Sequence, residues 1–82
     1  MRVELKIDRR DKDSLPKNGI QLIENELKRR IAARYADTEI IVRVASSNEL
    51  NITRTQKETE KNVKKIVEEM FSESDEWLTI DS

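Results

Sequence analysis

The chain has no cysteine and no histidine among its 82 residues, and one glycine, one proline, one tryptophan, one tyrosine and one phenylalanine. Without cysteine, neither a disulfide nor a thiolate metal site can staple it. Without histidine, it lacks the commonest metal ligand and the usual general base near neutral pH. Ser–His–Asp and Cys–His nucleophilic arrangements are thereby excluded. A single glycine, Gly19, cannot build a phosphate-cradling loop. Three aromatic side chains cannot furnish a platform for stacking bases. No apolar run approaches the roughly 20 residues that span a bilayer, and the charges within Met1–Lys6 argue against a signal peptide. These absences predict a cytoplasmic, non-enzymatic protein with no catalytic residue, no cofactor and no metal. At this length one domain, residues 1–82, is expected, with a modest core, and a monomer is expected.

Charge is abundant. Asp, Glu, Lys and Arg make up 40% of the chain and nearly cancel, to a net charge of −1. Their distribution is uneven. Residues 1–43 carry eleven basic and eight acidic groups, and residues 44–67 carry five and three. Residues 68–82 carry six acidic groups, Glu68, Glu69, Glu73, Asp75, Glu76 and Asp81, and no basic one. One end of the chain is strongly negative.

Hydrophobic periodicity predicts the elements. Val3, Leu5 and Ile7 alternate with Arg2, Glu4 and Lys6, as in a strand with one buried face. Residues 8–19 read as a connecting loop, with Pro16 suited to the first turn of the following helix. Ile20, Ile23, Leu27 and Ile31 recur at helical spacing up to about Tyr35. A second strand spans 39–45, Ser46–Glu49 is a polar turn, and Leu50–Thr53 is a short third strand. Thr55 with Glu58 has the form of a capping box, and the helix it opens carries Val63, Ile66, Val67 and Met70 on one face, running to about Glu76. The order β-α-β-β-α makes the first two strands parallel and the last two antiparallel. The expected fold class is α+β, a two-layer sandwich with both helices on one face of a small mixed sheet.

Two charged features compete as sites. Lys28, Arg29, Arg30 and Arg34, with Lys61, Lys64 and Lys65, form basic groups, but Glu24, Glu26, Glu58 and Glu60 lie at helical neighbour spacings from them. Surface ion pairs are the simpler reading, and no direct DNA binding is expected. The acidic end is more unusual. A helix C-terminus carries partial negative charge and favours cations, so each carboxylate there costs a few tenths of a kcal/mol. Lys57, Lys61, Lys64 and Lys65 outnumber Glu58 and Glu60 in the earlier half, so the net charge of the helix runs against its own dipole. On a helix continuous to Glu76, Glu69, Glu73 and Glu76 share a face at rises of about 6 Å and 4.5 Å. Such a ladder resembles a nucleic-acid strand, with one charge per ~3.4 Å in a duplex. Trp77 and Leu78 either fold back on the core or stand as an exposed anchor, and folding back is the simpler of the two.

Several separated segments resemble the DinI family of DNA-damage-inducible proteins. They are Met1–Leu5, Leu15-Pro16, Glu26-Leu27 with Arg29-Arg30-Ile31, Val42–Asn48 with Leu50, Lys57-Glu58, Ile66–Phe71 and Ser74–Leu78. Asp75-Glu76-Trp77 is the most specific. The resemblance implies a β-α-β-β-α fold and a role as an SOS-response modulator. Members bind the RecA–single-stranded-DNA filament and modulate its stability and its co-protease action on LexA and UmuD, through an acidic second helix that mimics DNA. Carried over by position, the partner-binding residues would be Glu68, Glu69, Asp75 and Glu76, with Glu73 and Trp77 between and beside them. The alternative role is that of a prophage or virulence-associated regulator using the same surface on another basic protein, such as a repressor. Glu73 is not acidic in every member, and Ser72 lacks a charge that some members carry. Ala36 replaces a usual proline, and Arg54-Thr55 replaces a glycine-containing turn before the second helix.

Overall fold

A computed structural model describes residues 1–78. Strand β1 spans Arg2–Asp8, followed by a short helix α1, Arg9–Asp13, and the longer α2, Gly19–Ala32. Strands β2, Glu39–Ala45, and β3, Glu49–Thr53, lead to α3, Lys57–Ser72, and a one-turn helix α4, Ser74–Trp77. The class is α+β as expected.

Among the described residues the core is nine side chains, three from each of three elements: Val3, Leu5 and Ile7 from β1, Ile23, Leu27 and Ile31 from α2, and Val63, Val67 and Met70 from α3. The period-2 and period-3.6 patterns converge there, because β1 is the central strand and both long helices cover its apolar side. The order is β2-β1-β3, with β1 parallel to β2 and antiparallel to β3. Strands β2 and β3 therefore run antiparallel without touching, one on each side of β1. Their three-residue link crosses two inter-strand gaps, about 9.5 Å, which three to four extended residues reach. Asn48 anchors the crossing. Its side-chain oxygen accepts the Asp8 N–H at 2.8 Å, and its amide donates to Asp11 Oδ2 at 2.7 Å.

The polar faces of the strands form the other side of the sheet. There Lys6 pairs with Glu49 at 3.1 Å and Arg43 with Glu4 at 3.2 Å. Both are partly exposed pairs, each worth under about 1 kcal/mol.

Four local expectations need correction. Residues 9–13 are helical, because Asp8 Oδ1 caps the Arg10 N–H at 2.8 Å. Pro16 lies outside α2, its carbonyl accepting the Gly19 N–H at 2.8 Å in the turn that precedes the helix. Gly19 is needed at that junction, since a Cβ there would stand 2.6 Å from Leu15 Cβ. Helix α2 stops at Ala32, and Tyr35 packs on the core beyond it. The capping box does not form: Gln56 is the N-cap of α3, without a side-chain bond.

The chain enters α3 through Arg54, whose φ of +59° is the one positive value among the described non-glycine residues. This is the turn where the DinI-like pattern has glycine, and a side chain there carries backbone strain. Arg54→Gly is expected to raise the unfolding free energy by about 0.5–1 kcal/mol, read as a higher urea midpoint at unchanged slope.

Candidate acidic interface at the end of the third helix

Helix α3 buries Val63, Val67 and Met70, and so turns Glu68 and Glu69 outward. Its last turn contains no basic residue. Glu68, Glu69, Asp75 and Glu76 are exposed, and none makes an ion pair among the described residues. Asp81 lies outside the described residues.

The helix does not run unbroken to Glu76. Glu73 ends it with φ −103° and ψ 17°, and α4 starts a new turn at Ser74. The straight ladder Glu69–Glu73–Glu76 is therefore not present. Two contacts hold the bend. Glu73 Oε1 accepts from Arg30 Nη1 of α2 at 2.8 Å, and Trp77 Nε1–H donates to the Met70 carbonyl at 2.7 Å. In an unbroken helix that carbonyl would take the Ser74 N–H, so the indole replaces a backbone donor. Trp77 also lies 6.3 Å from Phe71, ring to ring, at a 57° tilt. Trp77 is half-buried and packs on the core. It folds back, fixing where α4 points.

Glu73 thus differs from the four free carboxylates: it is spent within the molecule. The sequence did carry a hint, since this position is not uniformly acidic in the DinI-like pattern. Arg30, 43 residues earlier, had no signal connecting it to Glu73. By spacing alone it is one member of a basic helix face.

The basic groups are neutralised in part, at Lys28, Arg29, Arg30 and Lys64, whereas Arg34, Lys61 and Lys65 make no ion pair among the described residues. Lys28 pairs with Glu24 at 3.2 Å, Arg30 Nε with Glu26 at 2.6 Å, Arg29 with the same Glu26, and Lys64 with Glu60 at 3.5 Å. Glu26, nearly covered and gripped by Arg29 and then Arg30, has its carboxyl held below the ordinary range against the opposing effect of burial. Arg30 is in turn held more firmly protonated by Glu26 and Glu73. A depressed folded-state pKa stabilises above the unfolded value and loses that contribution as pH falls through the folded one. Wild-type stability is therefore expected to decline below about pH 4.5. Glu26→Gln should flatten that part of the acid limb in urea titrations at successive pH values, while lowering stability at neutral pH.

A separate groove of about 400 Å³ lies between the end of β1 and the helices, lined by Leu5, Ile7, Leu15, Ile23 and Phe71 with Lys6, Asp11 and Asn48. It is apolar and holds none of the four free carboxylates. Among the described residues no cluster of Asp and Glu is arranged to hold a metal ion, and no helix is long and apolar enough to cross a membrane.

Residues 16–78 match the model of the DinI-like family. A DinI-like protein of prophage CP-933V in Escherichia coli O157:H7 is 35% identical over 80 residues, covering 95% of this chain and 98% of that protein. The virulence protein MsgA of Salmonella typhimurium is 37% identical over 78 residues, covering 95% and 96%. A DinI-like protein in retron Ec67 of Escherichia coli is 37% identical over 79 residues, covering 95% and 99%. None of the three is named as an enzyme. With the family model spanning most of the chain and these relatives matching almost end to end, this protein belongs to the DinI-like family.

Proposed function

We propose that the protein is a cytoplasmic SOS-response modulator that binds the RecA–single-stranded-DNA filament through the exposed carboxylates Glu68, Glu69, Asp75 and Glu76. The observation that carries this reading is their placement. Glu68 and Glu69 stand at the negative end of the α3 dipole, Asp75 and Glu76 follow on α4, and none of the four has a counter-ion among the described residues. A sequence optimised for stability alone would put lysine or arginine there. A basic groove that ordinarily grips phosphates can grip such a cluster in their place. The mimic is a bent one. The end of α3 presents Glu68 and Glu69, α4 presents Asp75 and Glu76, and Glu73 with Trp77 sets the angle between them.

The test is co-sedimentation with RecA filaments, read together with the rate of LexA cleavage. Binding is expected at low salt and should fall steeply as salt rises, since exposed charges are screened within about 10 Å at 0.1 M. A protein that stays in the supernatant at every salt concentration, and leaves LexA cleavage unchanged, is not a RecA modulator.

A second reading has its own support, because similar chains include a prophage protein and one named for virulence. In it the same carboxylates bind a different basic protein, such as a phage repressor. Pull-downs with and without the RecA–DNA filament separate the two: retention of a repressor, and not of RecA, selects the second.

A further inference from the structure

A sheet ordered β2-β1-β3 leaves two open edges among the described residues. Proteins usually blunt such edges with charged residues, proline, bulges or shortness. Strand β3 is short, five residues, and alternates apolar with polar. Strand β2 is longer, and its seven residues, Glu-Ile-Ile-Val-Arg-Val-Ala, include no proline, lysine or glycine. Its two charges, Glu39 and Arg43, are of opposite sign and so do not repel a second copy of the same edge. Ile40, Ile41, Val42 and Val44 are only half-buried, whereas Val3, Leu5 and Ile7 beside them are buried.

The direction of the backbone groups follows from one bond. The Glu39 N–H donates to the Met1 carbonyl of the β1 side at 3.0 Å. By strand alternation Ile41 and Arg43 also face β1, and Ile40, Val42 and Val44 turn their N–H and C=O groups outward. Side chains alternate too. Register with β1 puts Ile40, Val42 and Val44 on the helix-covered face with Val3, Leu5 and Ile7, and Glu39, Ile41 and Arg43 on the opposite face.

We propose that this edge pairs with the same edge of a second copy of the chain, antiparallel across a twofold axis at Ile41, joining two three-stranded sheets into one of six. An isologous contact must be self-complementary, and this register is. Ile40 stands opposite Val42 of the second copy in hydrogen-bonded pairs, extending the covered face. Ile41 meets its own counterpart in a non-hydrogen-bonded pair. Glu39 stands opposite Arg43 of the second copy, twice, on the same face as Ile41. Arg43 is already held on that face by Glu4 at 3.2 Å, and its guanidinium has further N–H groups to offer. Shifting the axis to Val42, the neighbouring register that also aligns outward groups, sets Ile41 against Arg43 and Glu39 against Ala45 and loses the charge match. The β3 edge turns only Leu50 and Ile52 outward and pairs no opposite charges with itself. Charge complementarity and strand length thus choose β2 and choose the register.

The experiment contains no RecA, so its outcome is independent of the proposed partner. Sedimentation equilibrium of the full chain, up to about millimolar concentration, should reach twice the 9.6 kDa monomer mass. Ile41→Lys, which places two like charges on the axis, should return the mass to the monomer with an unchanged circular-dichroism spectrum. The chain has no cysteine, so Ile41→Cys gives a clean probe. Cα atoms in a non-hydrogen-bonded antiparallel pair lie about 4.5 Å apart, within disulfide reach. Under mild oxidation Ile41→Cys should form a covalent dimer at least tenfold faster than Asn51→Cys, its counterpart on the same sheet face at β3. A monomer at every concentration overturns the proposal, as does equal cross-linking from the two cysteines. So does a dimer that survives Ile41→Lys.

Discussion

Changing Glu68, Glu69, Asp75 and Glu76 together to lysine is expected to weaken binding to the RecA filament by about three orders of magnitude. Each exposed carboxylate–cation pair is worth about 0.2–1 kcal/mol. Reversal replaces each attraction with a repulsion of similar size, so four positions shift binding by roughly 2–8 kcal/mol, with about 4 kcal/mol matching three factors of ten at 1.4 kcal/mol each. The folded chain should tolerate the change, since all four side chains are exposed and unpaired among the described residues. Lysine is favourable at the end of α3 and slightly unfavourable in the first turn of α4, so the two effects offset and thermal stability should stay close to that of the wild type. A variant that binds less and melts no lower separates function from folding. Glu73→Gln supplies the contrast. Its carboxylate is engaged by Arg30, so the substitution should change filament affinity less than tenfold while loosening the bend at α4.

Met70→Ala should have the largest effect on stability. Met70 is fully buried among Val63, Val67 and the β1 side chains, and its carbonyl receives the Trp77 indole. Truncating a buried methionine to alanine costs about 2–5 kcal/mol. A domain of this size has roughly 4–12 kcal/mol in total. The variant should therefore lose a large share of its stability in urea unfolding, with earlier melting of the α3–α4 end detectable through Trp77 fluorescence. A loss under about 1 kcal/mol would mean that the acidic end is not tied to the core through this residue.

What was legible beforehand follows a physical division. Val3-Leu5-Ile7, Ile23-Leu27-Ile31 and Val63-Val67-Met70 announce themselves because alternation and helical spacing are local properties, and these nine residues are the core. The parallel pairing of β1 with β2 followed from the length of their connection, and the structure has it. The position of β1 between β2 and β3 was not legible. A three-residue link is equally suited to a hairpin, and what carries it across the strand end is the side chain of Asn48 bonded to Asp8 and Asp11. The bend at Glu73 was hidden for the same reason. Nothing between Met70 and Trp77 forbids a helix, so periodicity extends it to Glu76. The break is held by Arg30 in another helix and by an indole bonded to a backbone carbonyl. The acidic cluster itself was visible in the charge distribution. Its division into four free carboxylates and one bound one was not.

Four outward carboxylates of α3 and α4 form the surface proposed to meet RecA. Residue-resolved NMR of labelled protein titrated with RecA–single-stranded-DNA filament tests it most directly. The amide signals of Glu68, Glu69, Asp75 and Glu76 are expected to broaden first, with those of the α2 arginines and the β2 edge following only at higher occupancy. Broadening that begins at Arg29, Arg34 or β2, with the acidic end unaffected, would contradict it.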